Sequence, residues 1–269
     1  MSIAYQLRLF KEIFFPRHCA VCNAVIDTGL VCSSCRSNFL LQKSVVYGAD
    51  RCSWTAAVRM GQPLEKEDVL DCVLLLYRYD GAFKDSLHAL KFSGDGDLLP
   101  LLQEEAELAL RDVEGNCSLK AQRLQSGQGE AYVCWQAFSS AMTLINKHYD
   151  LITCIPTSEE RCRQRGFDVP SRIFASLAEC SRACYTDKLL VRKKSTQPLF
   201  SLDAEERKEE LAGCFVLYPQ ASVKGRRVLL CDDIFTTGST MREAAQLLLQ
   251  AGAKSVGALA LCASKDNWD

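Results

Sequence analysis

The stretch VLLCDDIFTTGST, residues 228–240, decides how this chain folds. Val228, Leu229, Leu230 and Cys231 form a continuous apolar run, the pattern of a strand buried on both faces. Two acids, Asp232 and Asp233, follow at once, and then a turn rich in hydroxyls with Gly238 at its centre. Acids at a strand end bind a metal or a pair of hydroxyls. A glycine- and hydroxyl-bearing turn that opens a helix aims backbone N–H groups at a phosphate. A phosphorylated sugar offers both partners. The turn has no lysine of the GK[ST] type and no dinucleotide fingerprint, which argues against a triphosphate loop or a Rossmann site. The plainer alternative is a capped helix beside two solvated acids, with Thr237 or Ser239 as the N-cap.

Working outward, residues 225–233 predict a central strand, 239–253 a helix and 254–264 a further strand. Gly252 stands where a left-handed helix end is expected. Upstream, 149–157 (YDLITCIPT) predicts a buried strand and 169–184 a helix. Residues 73–79 predict a strand, followed by a turn at Asp80-Gly81, a helix, a second turn at 93–97 and another helix after Pro100. Residues 132–147 can form a helix, and 114–130 (EGNCSLKAQRLQSGQGE) predict a polar loop or mobile insertion. Alternation of strand and helix implies an α/β fold: a parallel sheet with flanking helices, ligands binding beyond the carboxyl ends of its strands.

The chain has 269 residues, a formal net charge of -1, 48% hydrophobic residues and 15 cysteines. That length suits one or two domains, and the near-neutral charge gives no global field for nucleic acid. Among local basic runs, RCRQRG (161–166) reads as a phosphate contact, whereas VRKK (191–194) and KGRR (224–227) read as solvated surface. The opening MSIAYQLRLFKEIFFP predicts an amphipathic helix ended by Pro16, because charges interrupt its apolar positions. Neither an export signal nor a membrane span is expected, which points to a cytoplasmic protein with reduced thiols.

Cys19 and Cys22, then Cys32 and Cys35, form two CxxC pairs nine residues apart. Two-residue spacing lets both thiolates of a turn reach one ion, and two such pairs close a tetrahedral four-thiolate site suited to structural zinc. The connection, with Asp27, Thr28 and Gly29 at its middle, predicts a hairpin between short strands. The expected division is a helix and zinc ribbon at 1–60 and an α/β domain at 61–269.

These motifs together resemble the ComF (competence protein F, amidophosphoribosyltransferase-like) family. The resemblance rests on VLLCDDIFTTGST, on the cysteine pairs, and on YRYDGAFKDSLHALKFSGD, ITCIPTSEERCRQRGFD and STQPLFSLDAEERKEELAGCF in that order. It implies a type I phosphoribosyltransferase core and the motif that binds 5-phosphoribosyl 1-pyrophosphate (PRPP). Asp232 and Asp233 would hold the ribose hydroxyls, and Thr236, Thr237, Gly238, Ser239 and Thr240 the 5-phosphate. Pro156, Thr157, Arg161, Arg163 and Arg165 would face the pyrophosphate, which brings Mg²⁺. The implied activity is that of a PRPP-dependent glycosyltransferase with an unidentified acceptor. The ComF group is linked to natural transformation, so the alternative is a non-catalytic DNA-uptake protein. That protein would bind single-stranded DNA or a nucleotide and dock competence-machinery proteins. Three departures from the family pattern stand out: Asp168 and Val169 replace an amide pair, Thr236 cannot serve as a base, and a second zinc ribbon is reduced to Cys52 and Cys72.

Overall fold

The computed structural model describes residues 16–27, 29–49, 69–92, 98–111, 141–193 and 213–264. The expected N-terminal helix, Cys52, the turn at 93–97, the insertion at 114–130 and most of STQPLFSLDAEERKEELAGCF lie outside them.

A six-stranded sheet forms the body, in the order β3-β4-β10-β9-β5-β6. Its strands are β3 (Lys43–Ala49), β4 (Cys72–Arg78), β5 (Leu151–Cys154), β6 (Cys184–Tyr185), β9 (Arg227–Phe235) and β10 (Ser255–Ala263). Only β3 runs antiparallel; the other five strands are parallel. Strand alternation explains why β4 is apolar from Cys72 to Leu76. Cys72, Leu74 and Leu76 enter one core cluster, and Val73 and Leu75 the other. Each such leucine contributes about 1.5–3 kcal/mol by leaving water.

The first cluster is covered by α2 (Gly81–Phe92), α3 (Leu98–Arg111), α4 (Ala141–His148) and α6 (Val169–Phe174). The second lies under α8 (Ser239–Gln250) and the hairpin of β7 (Leu190–Arg192) with β8 (Phe215–Leu217). Helix α5 (Glu159–Arg165) and the short α7 (Leu177–Cys180) complete this part of the chain. No helix among the described residues is long and apolar enough to cross a membrane.

The predicted strand, helix and strand of the C-terminal stretch are β9, α8 and β10. Gly252, with φ +93°, ends α8 as expected: its N–H donates to the Leu249 carbonyl (3.0 Å) and the Ala253 N–H to that of Leu248 (3.0 Å). The helix predicted at 169–184 is instead α6, α7 and β6, because residues 184–185 turn back to pair with β5. The strands β5 and β9 start together at an ion pair. The Arg227 side chain donates to the Asp150 carboxylate through Nε (3.0 Å) and Nη2 (2.7 Å), which holds that carboxyl at about 2. KGRR is thus not wholly solvated surface.

The head begins with an antiparallel pair, β1 (Arg17–His18) and β2 (Val25–Ile26), and continues into α1 (Ser33–Gln42). The hairpin expected in the nine-residue connection closes around the first CxxC pair instead, and the second pair sits where α1 starts. Although residues 1–60 were expected to form the head, β3 within that span is an edge strand of the body sheet. Head and body share a core, since Cys19, Val31 and Cys35 pack in the same cluster as Leu74 and Leu76.

Candidate functional site

The strands β4, β10, β9 and β5 are parallel, so their carboxyl ends meet at one edge of the sheet. Asp232 and Asp233 lie within β9 there, with Asp232 in register with Ala260 of β10. Neighbouring residues of a strand face opposite sides, and the acids separate accordingly. Asp233, buried at 7% exposure, receives the Lys91 ammonium of α2 at 2.7 Å. Asp232 shares its side with Val228 and Leu230, and its charge reaches Arg192 at the end of β7. The Asp233 N–H donates to Asp232 Oδ1 at 2.8 Å. Burial, and then the charge of Asp233, push the Asp232 carboxyl well above the ordinary carboxylate range, with Lys91 opposing.

Beyond β9 the chain turns through Thr236 and Thr237 into α8. Gly238 is the N-cap residue at φ +77°, in place of the Thr237 or Ser239 cap considered from sequence, although the Thr237 hydroxyl accepts the Ser239 N–H at 3.4 Å. A Cβ there would overlap the Phe235 ring and the Arg242 guanidinium, so only glycine fits. Arg242 Nη1 donates to the Thr237 carbonyl, and the Thr237 and Ser239 hydroxyls bond each other at 2.7 Å. The turn is therefore braced from behind, with Thr236 and Thr237 exposed and Ser239 and Thr240 half-buried.

After β5, Pro156 and Thr157 form a half-buried loop tied to β9 by the Ile155 N–H on the Cys231 carbonyl (2.8 Å). Asp168 fixes this loop to α6: Oδ1 accepts the Thr157 N–H (2.9 Å) and Oδ2 the Ser171 N–H (3.1 Å). The acid that departs from the family amide thus works as an N-cap shared by two segments. Arg161 and Arg165 stand one turn apart on α5. Arg165 Nε donates to the Lys91 carbonyl at 2.7 Å, within reach of the charge on Asp233. Arg163 points away and forms an exposed ion pair with Glu159 at 3.5 Å. Arg192 takes the third place: Arg161 and Asp232 both act on its charge, and its guanidinium lies 5.5 Å from the centre of the Phe215 ring. VRKK, read from sequence as solvated surface, therefore supplies a site arginine.

Cys19, Cys22, Cys32 and Cys35 bring their four sulfurs within 4.8 Å of one another. The Cys32 N–H donates to Cys19 Sγ at 3.3 Å and the Cys35 N–H to Cys32 Sγ at 3.4 Å, the pattern that supports thiolates around a metal. Burial raises the Cys19 thiol, but backbone N–H groups of Cys22, Cys32 and Val21 outweigh it and hold it at about 6. Cys35 is pushed up by burial and by the neighbouring sulfurs. Four sulfurs this close suit a divalent cation, and the donor set fits zinc. Arg36 of α1 ties the head down, donating to Glu105 (2.8 Å) and Glu104 (3.3 Å) of α3; buried Glu105 also accepts from the Tyr77 hydroxyl of β4 at 2.8 Å.

Residues 186–269 match the phosphoribosyl transferase domain, which spans β7 through β10. The DNA utilization protein YhgH of Escherichia coli (strain K12) is 34% identical over 113 residues, 42% of this chain and 49% of that protein. The chain thus spans about half the length of that relative. Competence protein ComFC of Bacillus subtilis (strain 168) is 26% identical over 251 residues, covering 87% of this chain and 84% of that one. The chain is thus similar to competence and DNA utilization proteins, as its motifs suggested.

The allosteric regulatory enzyme of purine biosynthesis superposes on 42% of this chain and 22% of its own, with 20% identity and a TM-score of 0.29, too loose to argue from. The matched domain holds Arg192, the acid pair and the Thr236–Thr240 turn, while Lys91 and Arg165 come from earlier residues. Sequence reasoning left Lys91 without a role and missed Arg192 and Glu105. Their partners lie far away in sequence, and no local pattern announces such pairs.

Proposed function

We propose that this chain binds PRPP, or a related 5-phosphoribosyl ligand, at the carboxyl ends of β9 and β5. The observation that carries this reading is the acid pair of β9, with Lys91 on Asp233 and the charge of Arg192 acting on Asp232, followed by the turn that opens α8 at Gly238. Asp232 and Asp233 would accept from the ribose 2- and 3-hydroxyls. The backbone N–H groups and hydroxyls of Thr236–Thr240 would hold the 5-phosphate. Arg161, Arg165 and Arg192 would face the pyrophosphate with its Mg²⁺, and Pro156 and Thr157 shape that side.

Such a site favours displacement at the anomeric carbon. The bond from C1 to pyrophosphate oxygen breaks, the electron pair leaves with pyrophosphate, and a nitrogenous acceptor forms the new bond and loses its proton. Positive charge grows on the ring as negative charge leaves, so arginines on the leaving group and a fixed ribose lower the barrier. Thr236 cannot take the acceptor's proton, so the acceptor must be nucleophilic without a base at that position.

Calorimetric titration of the zinc-loaded protein with Mg-PRPP tests the reading. Saturable binding that disappears in the Asp232→Asn, Asp233→Asn double variant is expected; unchanged affinity would overturn the ribose assignment.

The names of the relatives, a DNA utilization protein and a competence protein, favour a second reading. In it the same site performs no transfer and takes the phosphorylated end of a single DNA strand, while the cysteine head docks a partner of the uptake machinery. Binding of a 5-phosphorylated oligonucleotide without any response to PRPP would select it.

A further inference from the structure

Most of the large apolar side chains of the described residues are buried, but Phe92, the last residue of α2, is 68% exposed. An isolated exposed phenylalanine is ordinary on any surface. This one differs in its neighbours. Lys91, one residue before it, contacts the ribose-side acid Asp233 at 2.7 Å. The Arg165 guanidinium lies 5.5 Å from the ring centre, and its Nε is fixed on the Lys91 carbonyl at 2.7 Å. His88, one helical turn earlier, packs against the ring with centroids 4.5 Å apart at a tilt of 35°. The ring is therefore held by a cation and an imidazole, yet keeps much of its surface open, one residue after the lysine that pairs with Asp233.

We propose that Phe92 is a stacking platform for the base of a 5-phosphorylated nucleoside. The proposal rests on the phosphoribosyl reading above and names the class of ligand: a nucleoside 5-monophosphate unit. Its phosphate sits at the Gly238 turn, its ribose at Asp232 and Asp233, and its base on Phe92. An aromatic face accepts any base without reading hydrogen bonds, and a nearby guanidinium reinforces the stack. Because His88 and Arg165 already order the ring, little side-chain freedom is lost when a base lands on it. Phe92 would make the site prefer a complete nucleotide over bare ribose phosphate. That preference serves a transferase releasing a nucleotide as well as a module that grips the phosphorylated end of a strand.

The test titrates the zinc-loaded full chain with adenosine 5-monophosphate, ribose 5-phosphate and a short 5-phosphorylated oligonucleotide. Wild type, Phe92→Ala and Phe92→Trp are compared. The nucleotide should bind more tightly than ribose 5-phosphate. Phe92→Ala should weaken the nucleotide about tenfold or more, the usual worth of one stacked base, and leave ribose 5-phosphate unchanged. Phe92→Trp should retain nucleotide affinity, and its indole fluorescence should be quenched on binding. Nucleotide binding insensitive to Phe92→Ala, with ribose 5-phosphate still bound, would overturn the platform and leave the phosphoribosyl site intact. Equal losses for both ligands would also overturn it, since Phe92 would then act on the site as a whole. Phe92-dependent nucleotide binding without ribose 5-phosphate binding would support the platform and overturn the phosphoribosyl reading instead. An oligonucleotide that binds in a Phe92-dependent way while the mononucleotide binds weakly would support the platform and identify a strand terminus as the source of the unit.

Discussion

The cysteine head and the carboxyl edge of the sheet both gather groups that repel one another when ionised, and they resolve the repulsion in opposite ways. Around Cys19, Cys22, Cys32 and Cys35 the sulfurs face one another, and the nearby Arg36 is committed to Glu104 and Glu105. Four thiolates there would need a bound cation to offset their charge. At Asp232 and Asp233 the chain brings its own cations, Lys91 to one side of β9 and Arg192 to the other. A fixed ion would make the first cluster structural. Side-chain cations that a ligand could engage would leave the second cluster able to respond, in keeping with the ligand site proposed there.

Breaking the head should have the largest effect. Structural zinc contributes on the order of 10 kcal/mol to the folding of small zinc-binding peptides, so Cys19→Ser should cost several kcal/mol locally and lose the metal. The body should keep its sheet, but with a lower melting temperature because the two regions share a core. Metal analysis and thermal unfolding check this, and one retained equivalent of metal would show that the four-sulfur site is wrong.

Glu105 links the two regions, so Glu105→Gln should cost about 2–3 kcal/mol by leaving Arg36 without its buried carboxylate partner. A smaller loss than that of an exposed pair such as Arg163–Glu159 would mean that the head is not fastened there.

The edge should behave differently. Asp232 has its carboxyl raised in the folded chain, so its ionisation opposes folding, and stability falls as pH rises from about 4 through the raised value. Asp232→Asn should therefore raise the melting temperature at pH 7 while removing affinity for Mg-PRPP, and the gain should shrink as pH approaches 4. A variant less stable at pH 7 would break the comparison.

Asp150→Asn should have the smallest effect, about 1 kcal/mol, because its pair with Arg227 is partly solvated. The Asp150 carboxyl is depressed to about 2, so its contribution is present above about 4 and is lost as pH falls toward 2. Acid unfolding of the variant should accordingly be flatter over that range.

Much of this fold is legible in the sequence where the signal is local. The apolar run at 228–231, the helix ended by Gly252 and the paired CxxC spacings each reflect geometry within a few residues. What escaped reading depends on which elements become neighbours. Lys91 meets Asp233 only because β4 and β9 flank β10 and carry α2 onto the same edge. Arg192 looked solvated within VRKK because nothing nearby reveals Phe215 or Asp232. The hairpin of the head was misplaced because Asp27-Thr28-Gly29 carries the stronger turn signal, whereas the observed turn rests on Asn23 at φ +60°. Arg163 has the same chemistry as Arg161 and Arg165, and helical rotation alone turns it away from the strand edge.

The position of β10 has a consequence for synthesis. It is the last of the six strands to leave the ribosome, yet it lies between β4 and β9. Until it arrives, both neighbours present open, apolar edges able to pair with another chain. The cysteine head, whose four sulfurs span only residues 19–35, can gather them far earlier. A nascent chain would thus carry a finished head and an unfinished sheet for most of its translation. Stalling before residue 255 would expose this protein to aggregation more than stalling at any point before β4.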